Sequence, residues 1–249
     1  MLNKIDILTL FPEVITPYLN ESIIQRAIKS NNIKINSHNL RDYANNKHNK
    51  IDDIPFGGST GMVIQAEPTI QAIKNISNKN THTILFSPKG DVLSMNLLKT
   101  LLEKEHLLLI AGHYEGFDCR IESHVDQNIC VGDYVLTGGE LPALTLTDAL
   151  VRLLPGVLGN KSSAMEDSFF SGLLDWNVFT RPRFFDTLNV PEVLVSGNHK
   201  KIELWKKRSA IINTLCYRPD LLAKYKLSKT EKKILSDYFL EEENNEQDY

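Results

Sequence analysis

The sequence predicts an α/β fold: a mostly parallel sheet flanked by helices, followed by a small, mostly helical C-terminal domain. Three observations lead to this reading. Short apolar runs of strand character recur at residues 5–11, 33–40, 83–86, 107–111 and 129–136. Helical patterns fall between several of them, at residues 22–29, 68–76 and 94–104, and parallel strands need such crossovers. Beyond residue 175 the chain begins irregularly and then turns helical.

Composition sets the outer bounds. The 249 residues suffice for one large domain or two. With 42% hydrophobic and 24% charged residues the chain is of the globular class, neither disordered nor fibrous. The most apolar helix already carries Asp148 and Arg152, so no membrane span is expected. The start, MLNKIDILTLFPE, puts an aspartate inside its short apolar run and makes a poor signal peptide. Cys119, Cys130 and Cys216 form no C-x-x-C spacing and leave an odd count, which argues against a disulfide framework and for a reducing cytoplasm.

In chain order, the first strand, helix and strand are followed by the polar segment RDYANNKHNKIDD, read as a surface loop. PFGGSTGM, residues 55–62, is glycine-rich but lacks the lysine of a phosphate-binding loop, and no G-x-G-x-x-G opens a helix anywhere. The seven histidines form no metal-ligand cluster. Three loops then follow strands: SPKG (87–90), AGHYEGFD (111–118) and VGDYVLTGGELP (131–142). Ligands of parallel sheets bind beyond the carboxyl ends of the strands, so all three loops converge on one expected crevice. The stretch 131–159 reads as strand end, glycine turn and helix. Gly132, Gly138 and Gly139 allow positive φ and close approach of backbone to a ligand, Pro142 suits a first helical turn, and Leu141, Leu144, Ala149, Leu153 and Leu154 recur near helical spacing. An ordinary strand-to-helix crossover and a cradle for a small molecule both fit it.

Several charged residues have two readings. Glu115 is either a turn carboxylate accepting backbone N–H bonds or a group facing a cationic ligand. Arg152, late in the 141–154 helix, either complements the helix dipole or stabilises negative charge developing on a substrate. Residues 160–172, NKSSAMEDSFFSG, read as a linker, boundary or lid; Ser163 and Glu166 fit a capping box, which leaves Asp167 either solvated or a lid-borne general base. Residues 1–160 carry 14 Lys+Arg against 17 Asp+Glu, whereas residues 161–240 carry 14 against 9. That local excess includes a helix after Asn198 presenting Lys200, Lys201, Lys206, Lys207 and Arg208, with Ile202, Trp205 and Ile212 as its expected buried stripe. A Lys/Arg face is commonly just solvated, but this one also suits phosphate. Ser228 and Glu231 make a capping box for a last helix over residues 227–240, and the acidic residues 241–249 read as a mobile tail.

Taken together, IDILTLFPE, DDIPFGGSTGM, FSPKG, AGHYEGFDCRI, VGDYVLTGGELPA, RLLPGVLG, SSAMEDSF and VPEVLVSGNH, in this order, resemble the bacterial tRNA (guanine-N1-)-methyltransferases of TrmD type, from Met1 to about Leu240. The resemblance implies a SPOUT-class α/β domain with a deep trefoil knot over residues 1–159, an interdomain linker at 160–174 and a basic tRNA-binding domain at 175–240. It implies a homodimer whose active sites are shared between chains. S-adenosylmethionine would be held by Ser87, Pro88, Gly112, Tyr114, Val131, Gly132, Asp133, Tyr134, Val135, Leu136, Gly138, Gly139 and Pro142. The implied reaction methylates nitrogen 1 of the guanosine at tRNA position 37, beside the anticodon, with Asp167 as general base, Arg152 stabilising charge and Glu115 near the sulfonium. The basic helix would grip the anticodon stem-loop. Enzymes of this type use magnesium, for which no carboxylate cage is evident. His113 stands where many members have arginine and Cys119 where glutamate is common, departures that bear on substrate fine-tuning. The alternatives are a relative acting on another RNA and a non-catalytic RNA-binding relative.

Overall fold

The computed structural model describes residues 1–58, 60–158 and 167–247, with side chains described as far as residue 241. The chain divides into two compact units, Met1–Lys161 and Ser162–Tyr249. In order, the first contains β1 (Lys4–Thr9), α1 (Pro12–Leu19), α2 (Ser22–Lys29), β2 (Lys34–Asn39), β3 (Asp52–Asp53), β4 (Val63–Ile64), α3 (Ala66–Ile76), β5 (Thr81–Val92), α4 (Met95–Leu102), β6 (His106–Ile110), β7 (Gln127–Cys130) and α5 (Glu140–Val151). Short 3-10 turns lie at Leu40–Tyr43 and Cys119–His124.

The sheet order is β2-β1-β6-β5-β7, and every pairing in it is parallel. β6, HLLLI, is buried along its whole length because both faces are covered. Leu107 and Leu109 join a core with Ile15, Ile24, Leu98, Leu101 and Leu146 of α1, α2, α4 and α5. Leu108 and Ile110 face the opposite way, towards Ala72 and Ile73 of α3 and Ile121.

Three elements differ from the sequence reading. α1 is absent from that reading, because Pro17 within it suggests a helix breaker; Pro12 occupies its first turn and buried Ile15 and Leu19 hold it to the core. β5 is longer than residues 83–86. Phe86 and Asp91 both pair with Ile129, so residues 87–90 bulge out of a strand instead of following one. β7 stops at Cys130, and residues 131–139 form a loop rather than a strand extension.

The second unit is built around the helix His199–Tyr217, capped by Asn198, whose side chain accepts from the Lys201 N–H. Its buried residues are Ser209, Ile211 and Thr214, while Ile202, Trp205 and Ile212 are only half-buried. The physical reason is the segment that packs on it. Small hydroxyl side chains let backbone approach closely, and Thr214 Oγ1 and Ser209 Oγ accept from the N–H groups of Leu174 and Asn177, each at 2.9 Å. A small core of Leu173, Ile211 and Ile234 completes the unit. The final helix, Lys229–Gln247, starts at the expected capping box, with Glu231 accepting from the Ser228 N–H at 2.8 Å. It continues through residues 241–247, into the segment read as a mobile tail. Arg208 forms an ion pair with Glu241 there, and glutamate is a good helix former.

Candidate active site

At the carboxyl edge of β5, β6 and β7 a cleft of about 560 Å³ opens in the first unit. Its walls are the three loops expected there. Ser87, Pro88, Gly112, Tyr114, Glu115, Val131, Gly132, Tyr134, Val135, Leu136, Gly138, Gly139 and Pro142 all line it, whereas Asp133 does not. A cleft of this size suits a ligand of nucleoside dimensions.

The glycines act here through close approach, not through the positive φ expected of them. Gly139 has φ −85°, and Gly132 and Gly138 are likewise absent from the left-handed region. A Cβ at Gly139 would stand 2.7 Å from the Ala111 Cα and the Gly112 N, where the Gly139 N–H donates to the Gly112 carbonyl at 2.6 Å. The 131–139 loop is thus pressed directly on the end of β6, leaving bare backbone at the cleft wall.

Glu115 is held by its backbone. Tyr114 has φ 58° and Gly116 φ 101°, the Gly116 N–H donates to the His113 carbonyl at 3.1 Å, and the Glu115 N–H donates to the Met62 carbonyl at 3.0 Å. This turn exposes the carboxylate, which accepts no hydrogen bond among the described residues. The carboxylate therefore does not act as an acceptor of backbone N–H bonds among the described residues. Gly61 makes room for it: a Cβ there would lie 2.6 Å from the Glu115 Cγ. Nearby Asp118 is committed elsewhere. Hydrogen bonds from the Arg120 side chain and backbone N–H hold its carboxyl down to about 2.

The remaining site residues are not among the walls of this cleft. Arg152 is the exposed C-cap of α5. The cleft meets the N-terminal end of that helix, and its 12 residues span roughly 18 Å. Asp167 belongs to the second unit, in a tight segment where its carbonyl accepts from the Phe170 N–H. The capping box of Ser163 and Glu166 lies outside the described residues. Lys206 lies 3.3 Å from Glu203 and 4.5 Å from the centre of the Trp176 ring, Lys207 lies 3.7 Å from Glu231, and Arg208 pairs with Glu241. Lys200 and Lys201 are exposed with no such partner among the described residues.

Among the lining residues that were not expected to bind a ligand are Phe86, Lys89, His113, Phe117 and Thr137. Phe117 has a signal in hindsight, since a Cβ on Gly112 would meet its ring at 2.6 Å. Among the described residues no three His, Cys, Asp or Glu side chains converge as a metal site, and no helix is long and apolar enough to cross a membrane.

A family model described as tRNA (Guanine-1)-methyltransferase TrmD matches residues 3–224. A tRNA (guanine-N(1)-)-methyltransferase of Staphylococcus carnosus is 52% identical over 237 residues, covering 94% of this chain and 97% of that protein. Its namesake from Staphylococcus haemolyticus is 50% identical over 244 residues, covering 97% of this chain and 100% of that protein.

Proposed function

Because the chain belongs to the TrmD family of tRNA (guanine-1)-methyltransferases, and is an enzyme of that activity, we propose that it methylates nitrogen 1 of the guanosine at position 37 of tRNA. The observation that carries this reading is the backbone-lined cleft at the sheet edge with the exposed Glu115 carboxylate on its wall. The methyl donor implied by the family is S-adenosylmethionine, which supplies a methyl group on a cationic sulfur. Its nucleoside suits bare backbone at Gly112 and Gly139, and its positive charge suits Glu115. No residue is assigned to magnesium.

Nitrogen 1 of neutral guanine carries a proton that must leave as the methyl group arrives. Asp167 is the general base in this reading, and Arg152 stabilises negative charge spreading to the neighbouring carbonyl oxygen. A carboxylate is a weak base for a ring N–H, so the arginine's help is part of the step. Arg152, at the far end of α5 in the same unit, does not line that cleft. This reading takes the protein as a homodimer in which each cleft is completed by the partner chain, and the parallel sheet with its loop-built cleft fits the knotted SPOUT architecture. The exposed Lys200 and Lys201 would hold tRNA phosphates while the target base enters the cleft. The setting of such a reaction is the cytoplasm.

The test uses labelled S-adenosylmethionine with tRNA transcripts carrying or lacking guanosine 37. Wild type is expected to label only the former, and Asp167→Asn to bind the donor normally while turning over at least ~100-fold more slowly, the scale of a missing general base. Equal labelling of both transcripts, or a fully active Asp167→Asn, overturns the reading.

A further inference from the structure

One ionic arrangement in the cleft wall has no part in the methyl transfer described above. Glu140, the first residue of α5, is only 5% exposed, and carboxylates are seldom buried without partners. Its Oε1 accepts a hydrogen bond from Thr9 Oγ1 at 2.7 Å. Its Oε2 faces His113 Nδ1 at 3.7 Å. That ring nitrogen is itself buried and has no hydrogen-bond partner among the described residues. Yet 27% of the His113 side chain stays open, and the residue lines the cleft. Phe11 packs on the ring at 4.8 Å between centroids and Tyr114 at 5.6 Å, both edge-on, so the imidazole is clamped on two sides. Gly138 leaves the space in which the pair meets: a Cβ there would stand 2.3 Å from both Glu140 Oε2 and His113 Nδ1.

We infer that Thr9, Glu140 and His113 form a buried relay that fixes the His113 proton on Nδ1 and presents Nε2 to the ligand as a hydrogen-bond acceptor. A closure of about 0.7 Å would bring Nδ1–H to ordinary hydrogen-bonding distance from Oε2 and satisfy the buried Nδ1. A carboxylate on one imidazole nitrogen decides which nitrogen carries the proton, and so what the other offers. Glu140 is the positioning residue and His113 touches the ligand. Glu140 from α5 and Tyr114 from the same loop are the titratable groups that face the ring; Phe11 adds an uncharged face. The ligand group recognised is an N–H or O–H donor. The inference rests on the methyltransferase reading only for what the ligand is, since S-adenosylmethionine and guanine both carry such donors.

Nitrogen-15 NMR of the imidazole in the unliganded full-length protein tests the relay. Wild-type His113 is expected to carry its proton on Nδ1 at neutral pH. In Glu140→Gln the amide carbonyl keeps the Thr9 bond and the NH₂ group donates to Nδ1, moving the proton to Nε2. Gly138→Ala, which wedges the pair apart, and Thr9→Val, which removes the brace, are expected to erode the Nδ1–H signature even if Glu140→Gln folds poorly. Ligand recognition is expected to weaken roughly 10-fold. Weakened S-adenosylmethionine binding in calorimetry assigns the contact to the donor; unchanged binding with slowed single-turnover transfer assigns it to guanine. A proton on Nε2 in wild type, or folded variants unchanged in tautomer, binding and transfer, overturns the relay. If the Nδ1–H form is found but wild type does not methylate guanine, the methyltransferase reading falls and the relay stands.

Discussion

Gly138 and Gly139 are neighbours at the mouth of α5, but a methyl group at each meets a different kind of obstacle. At Gly139 the obstacles are the Ala111 Cα and the Gly112 N, backbone atoms at the end of β6. Gly139→Ala must therefore displace a strand end, and is expected to cost about 1–3 kcal/mol, as overpacking does. At Gly138 the obstacles are the ends of the Glu140 and His113 side chains, which yield by a small parting of the pair without moving backbone. Gly138→Ala is expected to hold its melting temperature within about 2 °C of wild type, at or below the shift for about 1 kcal/mol in a chain of this size, while ligand recognition weakens. Scanning calorimetry of both variants decides the point, and equal destabilisation would contradict it. From the sequence the two glycines look alike. Their difference comes from a long-range contact with β6 that no local pattern encodes.

The same limit shows at the level of whole elements. α2 and β6 are legible because one carries a helical apolar period and the other an unbroken apolar run, and the cleft loops after β6 and β7 follow from where parallel strands end. α1 is hidden by Pro17, and the bulge at residues 87–90 by the assumption that a polar, proline-bearing tetrapeptide ends a strand. Glu115 is legible as a candidate from its place after a strand, but its exposed, unbonded carboxylate is seen only in the turn geometry. The 199–217 helix shows the cost of reading charge without partners, since Lys206, Lys207 and Arg208 each have an acidic neighbour. Alanine at those positions would disturb the unit as well as any RNA interface. The cleaner test is Lys200→Ala with Lys201→Ala. It is expected to leave thermal melting unchanged, weaken tRNA binding, and reduce the slope of log affinity against log salt by about 1 for each phosphate no longer neutralised. Filter binding at several salt concentrations measures this, and an unaltered slope would remove these lysines from the interface.

For the molecule as a whole, stability and chemistry lie on different parts of the sheet. Asp6, fully buried in β1, accepts from Asn36 at 2.8 Å, His38 at 2.9 Å and His106 at 2.7 Å, and Lys4 lies 2.7 Å from it. None of these residues lines the cleft. Burial pushes the Asp6 carboxyl upward, but the bonds from His38, Lys4 and Asn36 outweigh it and hold the group well below the usual range. Burial pushes the His106 imidazole down, against the opposing pull of Asp6. Neutral His106 fits this network, with Nε2–H donating to Asp6 and Nδ1 accepting from Thr81 at 2.7 Å. Both shifts have the same sign in stability: the folded state binds fewer protons than the unfolded one. The His106 contribution is complete above the unfolded value near 6.5 and declines as pH falls below it. The Asp6 contribution is complete above about 3.9 and declines as pH falls further. Urea midpoints are therefore expected to be flat above about pH 7, to slope gently down to about pH 5 and to fall steeply below about pH 4. Asp6→Asn is expected to cost roughly 2–4 kcal/mol at neutral pH, because it strands the Lys4 charge and breaks the His106 bond, and to flatten the steep acid limb. A variant that keeps the wild-type acid limb would show that Asp6 does not govern acid unfolding.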